Sequence, residues 1–150
     1  MTTAPKYMAV QGAALIVGCG LLLIGVLGFI PGVTSDFGHL QWAGHSGAKL
    51  FGIFAVSGLH NLVHLTFGVI GLAMARTYAA SRAYFIGGGL VYLALWLHGL
   101  FIDHGSSANF IPVNGADNWL HLGLGAVMVL LGLTLAGQRD PTKRRAKIRT

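Results

Sequence analysis

Residues Met8 to Ile30 read MAVQGAALIVGCGLLLIGVLGFI, an apolar run in which Gln11 is the only strongly polar side chain. A run near 20 residues is what a helix needs to cross about 30 Å of hydrocarbon. Pro31-Gly32 closes it. Its apolar core is too long for a signal peptide and no small-x-small cleavage pattern follows, so it is expected to be a retained span.

Three more runs repeat the pattern. The second extends from about Ser46 to Ala75, long enough to tilt or to project from the bilayer. A connection from Arg76 to Ser81 leads to the third, Arg82 to His104, which Gly105 is placed to stop. The fourth starts at Asp117, expected as its N-cap, and ends near Ala136. The expected fold is all-α: a four-helix transmembrane bundle over residues 1–136, with spans at about 8–30, 46–75, 82–104 and 117–136.

Composition supports this. The 150 residues are 54% hydrophobic and only 9% charged, against about 25% in a typical soluble domain, and the mean hydropathy is +0.68. A soluble chain this short leaves much of its surface wet and has nowhere to hide so many apolar side chains. The lone cysteine, Cys19, lies inside the first run, so neither an intrachain disulfide nor a cysteine metal motif is available.

Charge sets the expected orientation. Residues 137–150 carry Arg139, Lys143, Arg144, Arg145, Lys147 and Arg149 against Asp140, which is +5 of the formal +6. Lys6, Arg76 and Arg82 fall on the same side as this tail, whereas the other two loops hold Lys49 alone. Positive residues stay in the cytoplasm, so both termini are expected there, in a bacterial inner membrane, with loops 31–46 and 105–116 outside. Beside a membrane helix, the basic tail suits anionic lipid headgroups rather than nucleic acid. A membrane-protein partner or a homo-oligomer is the other expected association.

Polar side chains within the runs are informative because hydrocarbon penalises them. His60 and His64 are four apart and share a helix face with Ser57, Asn61, Gly68, Gly71 and Ala75. The fourth run repeats this with Asp117, Asn118, His121, Gly125, Met128, Gly132 and Ala136. In the third, the corresponding line is Gly87, Val91, Ala94, His98 and Ile102. Small residues let helices approach closely, so these faces are expected to point inward. Counting ~1.5 Å per residue from Arg76, Arg82 and Arg139 puts His60, His98 and His121 in one layer, ~24–27 Å above the arginines. His64 lies one turn deeper. Asp117, four residues before His121, is placed to orient its imidazole, and His39, His45 and His104 to extend the outer rim.

Three chemistries suit such a cluster of His60, His64, His98 and His121, with Asn61, Asp117 and Asn118 beside it. The imidazoles can hydrogen-bond across helices and fix the register of the bundle. His60, His98 and His121 can hold zinc or copper, or two facing imidazoles can ligate haem iron. Or the cluster can line a polar cavity for a proton, a small solute or a lipid headgroup. Gly87-Gly88-Gly89 follows no strand and is packing, not a phosphate loop. No acid pair, Ser-His-Asp order or HExxH motif occurs, so an enzyme is not the expected reading.

The elements Gly28-Phe29-Ile30-Pro31-Gly32-Val33-Thr34, Leu59-His60-Asn61-Leu62-Val63-His64-Leu65 with Phe67-Gly68, Ala108-Asn109-Phe110-Ile111-Pro112-Val113-Asn114 and Ala116-Asp117-Asn118-Trp119-Leu120-His121 carry a resemblance. Across about residues 10–136 the chain resembles a family of small bacterial, chiefly actinobacterial, four-span membrane proteins described only as a domain of unknown function. The resemblance implies the architecture and the inner membrane and brings no activity with it. The functional expectation is a small accessory or structural membrane protein with an inward histidine cluster in its outer half. A haem- or metal-binding protein with a redox or metal-handling role is the alternative.

Overall fold

In a computed structural model, which describes residues 8–135, four helices enclose the core: α1 Ala9–Leu27, α2 Gly58–Met74, α3 Tyr78–Phe101 and α4 Gly115–Thr134. Three two-residue strands lie between α1 and α2: β1 Thr34–Ser35, β2 Lys49–Leu50 and β3 Phe54–Ala55. They form one antiparallel sheet in the order β1-β2-β3. Lys6, Ala136 and the basic tail lie outside the described residues.

The first run becomes helical much as expected. Gln11 fastens its start: its Oε1 accepts from the Met8 amide at 3.0 Å, and its Nε2 donates to the carbonyls of Ala75 and Arg76 at 3.1 and 3.0 Å. The only strongly polar side chain of the run thus ties α1 to the end of α2.

The second run departs from expectation: its helix begins at Gly58, not near Ser46. Residues 49–55 instead form a hairpin, Lys49 opposite Ala55 and Leu50 opposite Phe54. At its tip Phe51 and Gly52 both take positive φ, 54° and 72°, with the Ile53 amide donating to the Leu50 carbonyl at 3.1 Å. That is the left-handed pair a tight hairpin turn demands. Glycines at 44, 47 and 52 weaken a helix over this stretch. Ser57 supplies the real start, its Oγ accepting from the His60 amide at 3.1 Å.

The remaining boundaries shift by a few residues. The link between α2 and α3 is shorter than expected, because Thr77 caps α3 by accepting from the Ala80 amide. α3 stops at Phe101, with Ile102 already extended, rather than at His104. The N-cap of α4 is Asn114, not Asp117: Asn114 Oδ1 accepts from the amides of Ala116 and Asp117, and Asp117 Oδ2 accepts back from the Asn114 amide at 2.8 Å. This is the reciprocal box in which the third helical residue bonds the cap backbone.

The helices pair as two hairpins, α1 with α2 and α3 with α4. Glycine meets glycine at each crossing. A Cβ on Gly68 would stand 2.9 Å from the Gly18 carbonyl oxygen, and one on Gly125 would stand 3.0 Å from that of Gly89. Between the hairpins lies a core containing Val10, Ala14, Leu21, Tyr84, Phe85 and Met128. A smaller core of Ala48, Leu50 and Val56 sits under the sheet. The outward faces carry Ile16, Leu23, Leu97 and Leu130, all exposed, which suits lipid rather than water.

Candidate functional site

The N-terminal ends of α2 and α4 lie at one end of the bundle, beneath the two long loops. Those loops are joined to each other, since the Gly44 amide donates to the Phe110 carbonyl at 2.7 Å and His45 Nε2 lies 2.6 Å from the Gly105 carbonyl oxygen. The Ser57 cap sets the phase of α2 so that His60, Asn61 and, a turn later, His64 face inward. The Asn114 cap does the same in α4 for Asp117, Asn118 and His121. His60, Asn61, Asp117, Asn118 and His121 are all buried, and His64 is half-buried.

Three imidazoles meet here. The rings of His60 and His64 stack with centroids 4.7 Å apart and planes 29° apart, and His121 stands 6.3 Å from His60. Tyr92 of α3 completes the group, its ring 5.5 Å from His121. His98 does not join. It is exposed, as are Gly87, Val91 and Ala94 of the line expected to face inward. The inner face of α3 is instead Phe85, Gly88, Gly89, Tyr92 and Gly99. His98 precedes Gly99 by one residue, about 100° around the helix. His39, His45 and His104 are exposed at the same end of the bundle. Among the described residues, no three His, Cys, Asp or Glu side chains are disposed to share a metal ion.

Hydrogen bonds give His60 and Asp117 distinct roles. His60 Nδ1 lies 3.1 Å from the Pro112 carbonyl oxygen. A carbonyl only accepts, so Nδ1 carries the proton. Asp117 does not orient His121; its Oδ2 accepts from the Ala55 amide at 3.0 Å as well as from Asn114. The carboxyl therefore holds the strand before α2 onto the start of α4. Asn61 and Asn118 pack on glycines instead of imidazoles. A Cβ on Gly28 would clash with the Asn61 carboxamide oxygen, and one on Gly99 with that of Asn118. Each glycine Cα–H thus points at an amide oxygen, the weak contact common at helix crossings.

Two cavities flank the imidazoles. The larger, ≈ 180 Å³, lies between α2 and α3 with His60, His64, Tyr92 and His121 on one side and Val63, Phe67 and Leu95 among its apolar walls. The smaller, ≈ 70 Å³, lies between α1 and α4 and shares His60, His64 and His121, with Asp117 added. Among the described residues, the Nδ1 atoms of His64 and His121, both carboxamide atoms of Asn61 and Oδ1 of Asn118 are buried without a hydrogen-bond partner.

Sequence reasoning missed Tyr92, Pro112, Ala55, Gly28 and Gly99 as parts of this site. The signal for Tyr92 was available: Phe85, Tyr92 and Gly99 repeat every seven residues, two turns of helix. Pro112 and Ala55 act through backbone groups, which leave no trace in side-chain pattern.

Fold and site together define a helical bundle of two hairpins in which the rings of His60, His64 and His121 lie close together at one end. Three of its helices are long and apolar enough to cross a membrane, and α2 is shorter at 17 residues. The chain belongs to the family described as a domain of unknown function (DUF4383), whose model matches residues 11–134. No curated protein and no solved structure matches it.

Proposed function

We propose that the chain is a multi-pass inner-membrane protein with both termini in the cytoplasm, and that it is an accessory protein binding a small, uncharged, lipid-soluble molecule. The observation that carries the binding reading is the larger cavity itself, in which the side chains of His60, His64, Tyr92 and His121 stand among otherwise apolar walls. A few polar side chains in an apolar lining suit a ligand with an apolar body and one hydrogen-bonding group. The volume sets the ligand's size, since an apolar cavity of about 150 Å³ takes a benzene-sized ring. Val91 lines the cavity and is 43% exposed, so its edge reaches the outer surface of the bundle. A ligand would enter there from lipid.

Haem is a poorer fit. Its macrocycle is several times larger than a benzene ring, and the stacked geometry of His60 and His64 presents no facing pair of nitrogens. For zinc or copper, the dispersed His98 leaves the expected three-histidine set incomplete.

The binding test uses p-cresol, a single ring with one hydroxyl, and the full chain in nanodiscs. Saturation-transfer NMR should show saturable binding that Leu95→Trp, which fills the cavity, abolishes. His121→Phe should weaken it about 5-fold, the value of one hydrogen bond near 1 kcal/mol. Equal binding by wild type and Leu95→Trp would reject the reading. Orientation has its own test in a Cys19→Ala background. Ser107→Cys should react with an impermeant maleimide on intact cells and Thr142→Cys only after lysis; the opposite result would invert the topology.

A further inference from the structure

The two hairpins follow one register. Adding 57 to α2 numbering turns the cap Ser57 into the cap Asn114, Asn61 into Asn118, His64 into His121 and Gly68 into Gly125. Adding 71 to α1 numbering turns Gly18 into Gly89, Leu22 into Leu93 and Gly28 into Gly99. The contacts repeat with the residues. A Cβ on Gly68 meets Leu22 Cγ at 2.6 Å, and one on Gly125 meets Leu93 Cγ at 2.8 Å. Asn61 covers Gly28 as Asn118 covers Gly99.

The same shift relates the bonds between hairpins. His60 becomes Asp117, and Ala55 becomes Pro112. His60 donates to the Pro112 carbonyl, while Asp117 accepts from the Ala55 amide. Each half holds the segment preceding the other half's second helix, at the same place, with donor and acceptor exchanged. Two hairpins running in the same direction and related in this way describe a parallel repeat about an axis along the membrane normal.

The cavities obey this relation too. Phe67, Leu95 and Val113 of the larger correspond to Leu124, Ile24 and Val56 of the smaller. His64 and His121, which correspond to each other, line both. We propose that the chain is a tandem duplication of one helical-hairpin unit, and that the smaller cavity is a second copy of the ligand site, served by the same imidazole pair. It takes a smaller molecule of the same uncharged, apolar class. Phe51 and Phe54 line it where the shift places Ala108 and Ile111 in the other half, which accounts for the lower volume. This rests on the reading that the larger cavity binds ligand.

Xenon, an uncharged probe small enough for both, tests the proposal. Full-length protein in detergent, with labelled Ile, Leu and Val methyls, should show two saturable sets of xenon-induced shifts, one at Val63 and Leu95 and one at Ile24 and Leu124. Leu95→Trp should abolish the response at Val63 and leave Leu124 responsive; Ile24→Trp should do the reverse. Leu124→Phe, a milder filling, should silence the smaller cavity if Ile24→Trp fails to fold. A silent Leu124 in wild type, or loss of both sets with either tryptophan alone, would overturn the second site. p-Cresol binding that persists alongside a silent Leu124 would reject the second site alone, whereas a xenon response at Leu124 without p-cresol binding would reject the ring-sized ligand of the first.

Discussion

Gly68→Leu should separate α1 from α2 and leave little folded protein, and Gly125→Leu should do the same to α3 and α4. The reason is what a side chain would meet. A Cβ on Gly68 would lie 2.6 Å from Leu22 Cγ, 2.8 Å from the Leu22 amide nitrogen and 2.9 Å from the Gly18 carbonyl oxygen. A leucine side chain can rotate away; the backbone groups cannot, so the helices must part. Overpacking in a filled core costs about 1–3 kcal/mol. Within lipid the penalty is harder to absorb, because no hydrophobic drive holds helices together and dispersion at the close crossing supplies much of the association. We expect Gly68→Ala to cost about 1–3 kcal/mol and Gly68→Leu to exceed it. Gly12→Leu is the control, since a Cβ there meets nothing within 4 Å. Thermal unfolding in detergent reads the difference, and a Gly68→Leu protein as stable as Gly12→Leu would refute the account.

Asp117→Ala should carry the second large penalty. The carboxyl group, buried at 2% exposure, satisfies two backbone amides, those of Ala55 and Asn114. Removing it leaves donors orphaned on both sides of the junction between β3 and α4, at about 1–3 kcal/mol each. A total near 3 kcal/mol is expected, with Asp117→Asn costing less because one oxygen remains. Amide exchange separates this local role from general loosening. The Ala55 and Asn114 amides should exchange faster in Asp117→Ala while the amides around Gly68 keep their protection. Unchanged exchange at Ala55 would mean that the carboxyl does not hold the strand.

The helices were legible because apolar length is a strong signal, and the inner faces of α2 and α4 because polar and small residues recur there at helical spacing. In α3 the same rule failed. Small residues line its exposed face at Gly87 and Ala94, while large aromatics, Phe85 and Tyr92, fill the gap between the hairpins. The packed glycines of α3 are Gly88, Gly89 and Gly99, one residue on from Gly87 and His98, so the small-residue rule chose the neighbouring line and took His98 with it. The hairpin at 49–55 was hidden for another reason. Its side chains, Leu50, Phe51, Ile53 and Phe54, are as apolar as a span, and hydropathy cannot tell a sheet tucked against a bundle from the helix that follows it. Asp117 was misplaced because an acid near a helix start suits both the cap and the third helical position; only the preceding Asn114 decides between them.

The paired clasps between the hairpins have a polarity that makes the two halves of the chain unequal. Proline has no N–H to offer, so the clasp on Pro112 works only with a donor such as His60 reaching toward it, and its partner at Ala55 works with an acceptor such as Asp117. With the imino acid at that position the twin residues are not interchangeable: a carboxylate in place of His60 would set oxygen against oxygen. Two halves alike in register are in this way distinct in what each can hold.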